Sequence, residues 1–88
     1  MTPPTIKHIR IDEQRLVFEL GEDREVSLPI SMSARLAAAT ATQREHWTIG
    51  PRGISAHWPD LDEDIAIWNV LGIAEDLYLR SLREAPVI

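Results

Sequence analysis

The part of the sequence richest in chemically active side chains is a short acidic segment that follows a histidine. The segment contains His57, Asp60, Asp62, Glu63 and Asp64. Carboxylates and an imidazole at this density can bind a divalent cation, or can serve as a general acid and a general base. One hypothesis for this chain is therefore a small metal-dependent or acid–base enzyme that uses His57, Asp60 and Asp64.

A helix start accounts for the same acidic residues without catalysis. The tetrad Asp60-Leu61-Asp62-Glu63 has the D-x-x-E form of a capping box, and acidic residues in a first turn complement the helix dipole. Leu61, Ile65 and Trp68 recur at helical spacing, which predicts a helix over residues 61–71. We favour this structural interpretation of the segment over the catalytic one.

Other recognisable chemistry is missing from the sequence. The chain has no cysteine, which excludes disulfides, thiolate nucleophiles and cysteine-ligated zinc. No serine stands at a recognisable spacing from a histidine and an orienting acid, and His8 and His46 lie at no metal-binding spacing from another histidine. The four glycines form neither G-x-G-x-x-G nor a P-loop. The sequence thus predicts no catalytic residues, no metal and no cofactor.

Composition and charge restrict the class of protein. With 44% hydrophobic and 26% charged residues, the chain has ordinary globular usage. Its nine basic residues are scattered among fourteen acidic ones, and the net charge of −5 disfavours direct nucleic-acid binding. No apolar run approaches the roughly 20 residues that span a bilayer, and residues 1–5 lack the features of a signal peptide. We therefore expect a cytoplasmic protein without membrane association.

The first third of the chain is predicted to form a three-stranded antiparallel meander. Residues 5–11 and 15–20 are β-branched and apolar runs with partial alternation, and the polar residues 12–14 separate them. A second turn at residues 21–23 leads into a third strand over residues 26–30. Proline within that strand indicates a strand edge or end.

Two short helical segments are predicted next. Either of two serines can cap a helix of about two turns over Ala34–Ala39, where alanine favours the helix. Thr40 and Thr42 each have a glutamine or glutamate three residues on, so either can start a further turn through a capping box. In that turn Arg44 is expected to face solvent.

The His57 segment begins in a second predicted hairpin. Residues 47–49 and 54–58 alternate around the turn-forming residues 50–53, which places Ala56 and Trp58 toward the core and His57 away from it.

The C-terminal part of the chain is predicted to be helical. Gly72 is placed to end the helix over residues 61–71, and the apolar spacing predicts a last helix over residues 73–84. The predicted fold is therefore one α+β domain over residues 1–88. It has a three-stranded meander, a short helix, a hairpin, and one or two C-terminal helices packed on an antiparallel sheet.

One block of this sequence is similar to a known bacterial family. The residues Trp58–Ile65 read W-P-x-L-D-E-D-I, and they follow Ala34–Thr40 and Gln43-Arg44 at a familiar distance. This arrangement resembles the family known as domain of unknown function 2442 over residues 6–72, with residues 73–84 as a C-terminal helical extension. His57, Trp58, Asp60, Asp62, Glu63 and Asp64 then form the candidate motif cluster.

The resemblance implies a small α+β protein with a regulatory or antitoxin-like role, because some members look fused to a helix-turn-helix domain and others are encoded beside toxin-like proteins. Two departures affect local turns. This chain has Leu20–Asp23 where relatives usually have aspartate-glycine, and Met32–Ala34 where many have an aromatic residue and a proline.

We expect the chain to work as a non-enzymatic interaction or regulatory module that binds another protein, such as a toxin-like neighbour. An open sheet edge can accept a partner's strand, and a stripe on the last helix can pack against a second copy to form a homo-oligomer. The candidate interface residues are Trp47, Leu77, Tyr78 and Leu82. A further alternative is a transcriptional accessory protein whose DNA contacts come from a partner.

Overall fold

Residues 3–84 are described by the computed structural model, and within them three strands are followed by two short helices, three further strands and two helices. The strands are β1 (His8–Ile11), β2 (Arg15–Gly21), β3 (Arg24–Pro29), β4 (Thr48–Ile49), β5 (Ser55–Trp58) and β6 (Glu63–Ala66). The helices are α1 (Ala34–Ala37), α2 (Ala41–Glu45), α3 (Ile67–Leu71) and α4 (Glu75–Glu84). The predicted α+β class is confirmed.

The first antiparallel sheet has the order β1-β2-β3, so the predicted meander is confirmed. Along β2, Leu16, Phe18 and Leu20 are buried and alternate with more exposed residues, as period-two patterning requires. The first turn is held by Asp12, whose carboxylate accepts hydrogen bonds of 2.7 Å from the backbone N–H groups of Gln14 and Arg15. These bonds lower the pKa of Asp12.

The second turn contains Glu22 and Asp23. Both have left-handed backbone conformations, with φ of 58° and 60°. Two successive positive φ values give a tight turn whose twist matches the flanking strands. The turn is formed although side chains other than glycine pay a steric cost in this conformation.

The second sheet has the order β4-β5-β6, and β6 takes up residues 63–66 of the helix predicted over residues 61–71, of which only residues 67–71 are helical. The helix prediction was therefore wrong for residues 61–66. Residues Pro59–Leu61 form a short 3-10 turn, and Asp62, with φ of 51°, reverses the chain direction. Residues 63–66 then pair antiparallel with β5, from Glu63 opposite Trp58 to Ala66 opposite Ser55. Strand pairing and burial outweigh the local capping signal.

Helix α3 begins only at Ile67 and ends where predicted. Its N-cap, Ala66, supplies no side-chain hydrogen bond. Gly72 ends it in a left-handed conformation, with φ of 70°, and the N–H of Ile73 donates to the carbonyl of Trp68 at 3.0 Å.

Helices α1 and α2 are single turns with the predicted type of cap. The Ser33 hydroxyl accepts from the N–H of Leu36 at 3.2 Å, and Thr40 forms a capping box with Gln43. Helix α1 is therefore shorter than the two turns expected from its alanine content. An isolated alanine-rich turn has too few internal hydrogen bonds to extend itself without packing.

Arg44 is buried, so the prediction that it faces solvent was wrong. Its guanidinium donates to the carbonyls of Leu36 and Ala37 at 3.0 and 3.1 Å. These carbonyls lie at the end of α1, where a helix leaves acceptors without a full set of internal partners, and that of Leu36 also accepts from the N–H of Ala39 at 3.2 Å. The arginine satisfies them and thereby joins α1 to α2.

One hydrophobic core connects both sheets and the helices. Its largest fully buried side chains are Ile9, Leu16, Phe18, Leu36, Trp58, Ile67 and Tyr78. Backbone hydrogen bonds also join the sheets to neighbouring segments, from Ile6 to Gly53 at 2.7 Å and from Ile67 to Ile54 at 2.8 Å. No helix within residues 3–84 has the length and apolarity needed to cross a bilayer.

Candidate functional site

The face of β5 that points away from the core carries Ser55 and His57. Ala56 and Trp58 are fully buried on the opposite face, which confirms the predicted orientation of this strand. Trp58 therefore contributes to the core rather than to a solvent-facing cluster. Its indole N–H donates to the carbonyl of Arg44 at 3.1 Å.

His57 lies between a carboxylate and a hydroxyl. Its Nδ1 atom is hydrogen-bonded to the carboxylate of Asp64, the residue directly opposite it on β6. Its Nε2 atom lies 3.0 Å from Oγ of Ser55, two residues earlier on the same strand face. The side chains of His57 and Asp64 are 37% and 70% exposed, so solvent reaches this line of three groups, which we call the Ser55 relay.

The hydrogen bonds of the Ser55 relay are consistent with one tautomer of the imidazole. A carboxylate oxygen accepts a hydrogen bond, so Nδ1 of His57 carries the hydrogen that is donated to Asp64. Nε2 is then the acceptor for the Ser55 hydroxyl. A carboxylate, an imidazole and a hydroxyl that are hydrogen-bonded in this order form the arrangement in which a hydroxyl is activated as a nucleophile.

Gly50 packs directly against the Ser55 relay. A Cβ atom at this position would lie 2.4 Å from Oγ of Ser55 and 2.9 Å from Nε2 of His57. The φ of Gly50 is −73°, a value that any residue adopts. Glycine is therefore required here for space and not for its backbone conformation.

Asp60 does not join His57 and Asp64. Its carboxylate lies 2.9 Å from Nδ1 of His46, the C-cap residue of α2. The predicted His57, Asp60 and Asp64 cluster is thus divided into two separate histidine–carboxylate pairs. Within residues 3–84, no group of three or more histidine, aspartate or glutamate side chains is arranged to hold a metal ion.

Glu63 and Asp62 fix α1 to the second sheet. The Ser33 hydroxyl donates to the Glu63 carboxylate at 2.5 Å, and the Arg35 guanidinium donates to the backbone carbonyl of Asp62. Glu63 is therefore not the second half of a capping box. The acidic part of the W-P-x-L-D-E-D-I block mainly positions neighbouring elements, apart from Asp64.

The candidate interface residues have different environments. Tyr78 is 1% exposed and donates through its hydroxyl to the carbonyl of Pro4 at 2.5 Å, so it is not available to a partner. Burial raises its pKa. Leu82 is half-buried against the core, whereas Leu77 is 48% exposed. Trp47 is half-buried, and its ring lies edge-on to His8 with centroids 5.2 Å apart.

His8 belongs to a charged group on the first sheet. Its Nδ1 atom lies 3.0 Å from the carboxylate of Glu19, which also accepts from Arg10 at 2.8 Å. These hydrogen bonds lower the pKa of Glu19, with the bond from His8 the larger cause. Arg10 also donates to Glu25 at 3.2 Å, so the group reaches from β1 to β3.

Strand β3 is a terminal strand of its sheet. The direction in which its backbone N–H and C=O groups point follows from the hydrogen bonds of β2. The carbonyls of Arg15 and Glu19 accept from N–H groups of Asp12 and Lys7, so alternate residues of β2 face β1. The intervening residues of β2 face β3. The backbone groups of Val26 and Leu28, which lie opposite those residues, therefore bond to β2.

Glu25 and Ser27 of β3 turn their backbone groups outward, because each lies opposite a β2 residue whose backbone groups face β1. One outward acceptor is already used, because Nη2 of Arg15 donates to the carbonyl of Ser27 at 3.2 Å. Pro29 at the strand end has no N–H. We call this row of backbone groups the β3 edge.

Ser55 was not singled out by the sequence. The usable signal was its alternation with His57 on a predicted strand, which puts both on one face. Asp64 was recognised, but as a residue of a helix, and only the pairing of β6 with β5 brings it opposite His57. Short-range spacing cannot reveal a contact that depends on this pairing.

Comparison with solved structures supports the fold. A crystal structure of a protein of unknown function from Rhodospirillum rubrum is 22% identical, with a TM-score of 0.67, covering 86% of this chain and 98% of that one. A solution structure of an uncharacterized protein from Chromobacterium violaceum is 24% identical, with a TM-score of 0.61, covering 92% of this chain and 69% of that one. At these identities the similarity shows the fold alone.

No curated protein matches the chain. The family model described as protein of unknown function DUF2442 matches residues 6–76, which is most of the sequence and slightly more than the expected 6–72. The resemblance seen in the W-P-x-L-D-E-D-I block is therefore confirmed, and the chain belongs to the DUF2442 family.

Proposed function

We propose that this chain is a cytoplasmic regulatory module that binds an extended segment of another protein along the β3 edge. The observation that carries the proposal is the row of outward backbone groups at Glu25 and Ser27 on a terminal strand of six residues. An exposed sheet edge of this kind can accept a partner's strand through main-chain hydrogen bonds.

Side chains along β3 can add specificity to such docking. Val26 and Leu28 are half-buried and pack on the core, so the strand is anchored from its inner face. Glu25 and Ser27 are exposed and are approached by Arg10 and Arg15. A partner would therefore meet a firmly held strand with charged side chains beside it.

Charge favours a basic partner. The chain has a net charge of −5, and exposed acidic residues flank β3 at the Glu22-Asp23 turn. Opposite charge on the partner speeds association and disfavours acidic competitors. A small basic protein, such as a toxin-like neighbour, fits the antitoxin-like role that the family resemblance implies. A second copy of the chain is the competing occupant.

The test begins with capture of the partner by the tagged chain, followed by hydrogen exchange on the purified complex. We expect the amides of Glu25 and Ser27 to become protected on binding, because they point toward the added strand. Those of Val26 and Leu28 should change little, because they already bond to β2. Protection confined to the exposed side of α4 would refute docking at β3.

Two substitutions at one position separate the backbone contribution from the side chain. Ser27→Pro removes an outward N–H and spares the ladder with β2, whereas Ser27→Ala removes only the hydroxyl that accepts from Arg15. We expect at least a roughly tenfold loss of affinity for the proline variant, the effect of about one hydrogen bond in binding.

Hydrogen exchange also distinguishes the two occupants. If the amides of Glu25 and Ser27 become protected when the concentration of the chain alone is raised, the occupant is a second copy of the chain.

A further inference from the structure

We propose that Ser55 is a nucleophile activated by His57 and positioned by Asp64, and that it accepts acyl groups from small activated esters. This activity goes beyond binding and does not depend on the β3 edge. The proposal rests on the two hydrogen bonds of His57, one to Asp64 and one of 3.0 Å to Oγ of Ser55.

The roles follow from the order of the groups. Asp64 holds the imidazole with its Nδ1 hydrogen directed at the carboxylate, which leaves the lone pair of Nε2 facing the Ser55 hydroxyl. Asp64 is thus a positioning residue, whereas Ser55 and His57 handle the reacting atoms. Strand geometry makes the arrangement rigid, because the serine and histidine share one strand face and the acid lies directly across.

The proposed reaction has two steps. Oγ of Ser55 attacks the ester carbonyl carbon while Nε2 of His57 takes the hydroxyl proton. The bond to the leaving group then breaks, and the leaving oxygen departs with the bonding electrons and receives that proton from Nε2. Water, deprotonated by the same nitrogen, later displaces the acyl group from Oγ as a carboxylic acid, and the serine regains its proton.

The surroundings restrict the substrate to a small acyl group. Gly50 packs against Oγ of Ser55 and Nε2 of His57 on one side, so a bulky acyl chain has no room there. The His57 and Asp64 side chains are 37% and 70% exposed, so the imidazole side of the site is open to solvent. A short ester with a good leaving group can reach such a site without a binding pocket.

The experiment uses 4-nitrophenyl acetate on the full chain. Nitrophenolate release is followed by absorbance, and the acetylated residue is located by peptide mass spectrometry after acid quenching. We expect an acetyl group on Ser55 of the wild-type chain and no acetyl group on residue 55 of the Ser55→Ala variant. His57→Gln should slow acetylation roughly 100-fold, the lower end of what a positioned general base contributes.

The chain provides a matched control for each partner of Ser55. His46 and Asp60 form a second histidine–carboxylate pair, so His46→Gln and Asp60→Asn make the same chemical changes away from the relay. We expect both to acetylate at the original rate. Asp64→Asn should slow acetylation, and Asp64→Glu should restore part of the rate because its carboxylate still accepts from Nδ1.

The proposal is supported if the acetyl group is found on Ser55 and the rate of its transfer depends on His57 and Asp64. Acetyl found only on lysine or on an imidazole, or a rate that is unchanged in Ser55→Ala, overturns it. Because a variant can fail by unfolding, each is checked by circular dichroism, and a folded wild-type chain that leaves Ser55 unmodified also refutes the proposal.

Discussion

The indole nitrogen of Trp58 donates a hydrogen bond of 3.1 Å to the backbone carbonyl of Arg44, and the Trp58 side chain is fully buried. We expect Trp58→Phe to lower the free energy of unfolding by about 2–4 kcal/mol, because it leaves a void and an unpaired carbonyl. Trp68→Phe is the control at a half-buried position. Urea unfolding that showed equal losses for both variants would contradict this assignment.

Arg44 stabilises the fold through its contacts with the end of α1. Replacing it by methionine keeps much of the buried stem but leaves the carbonyls of Leu36 and Ala37 without these donors. We expect a loss of about 1–3 kcal/mol in unfolding free energy. Arg80→Met, at an exposed position of α4, should change stability by less than about 0.5 kcal/mol. Thermal unfolding compares the two variants directly.

Glu19 should make the stability of the first sheet sensitive to acid. Hydrogen bonds from His8 and Arg10 lower its pKa in the folded chain below the ordinary value of 4.5. The unfolded state therefore binds the proton first, and the contribution of Glu19 is present above pH 4.5 and is lost as pH falls through the folded pKa.

We therefore expect Glu19→Gln to be less stable than the wild-type chain at neutral pH and to approach it as the pH falls toward 3. Glu13→Gln, at an exposed position of the first turn, is the control. Unfolding midpoints measured from pH 7 to pH 3 give the comparison. If the difference in unfolding midpoint between Glu19→Gln and the wild-type chain stays constant over this range, Glu19 acts through its shape and not through its charge.

Tyr78 connects α4 to the N-terminal segment. Its hydroxyl donates to the carbonyl of Pro4, and burial raises its pKa. The stabilising contribution is complete below the ordinary tyrosine pKa of about 10 and is lost as pH rises through the folded value. Tyr78→Phe should cost about 1 kcal/mol at neutral pH and less in strong alkali. Faster hydrogen exchange at Ile6 in the variant checks the anchoring.

Gly50 and Gly72 provide contrasting alanine substitutions. At Gly50 the backbone conformation suits alanine, but the methyl group overlaps Ser55 and His57. At Gly72 there is space, but φ is 70°, so alanine costs about 1–2 kcal/mol in backbone strain. We expect Gly50→Ala to abolish the Ser55–His57 hydrogen bond and Gly72→Ala to preserve it. Nitrogen NMR of the His57 ring distinguishes the two.

Much of the fold follows from local patterns. Alternation of apolar residues located the strands on both sides of the Asp12 turn, and Ser33 and Thr40 capped the helices as their types predict. Gly72 ended α3 for the expected conformational reason. In each case the decisive interactions join residues within a few positions of one another, so the sequence contains the whole signal.

The errors lie where distant pairing decided the structure. Residues 60–63 have the pattern of a capping box, but Asp62 adopts a left-handed conformation and residues 63–66 gain a ladder with β5. Arg44 was assigned to solvent because arginine usually lies there, and the acceptors that bury it belong to α1. The Ser55 relay was not predicted for the same reason, because Asp64 lies on β6 and reaches His57 only through the pairing of β6 with β5.

Each of the two sheets is formed by consecutive strands, with β1-β2-β3 within residues 8–29 and β4-β5-β6 within residues 48–66. Every strand pair therefore closes a short loop, which costs little chain entropy. Topologies of this kind fold quickly for their size. We therefore expect each meander to form from local contacts, and the hydrogen bond from the N–H of Ile6 to the carbonyl of Gly53 joins the two parts of the chain.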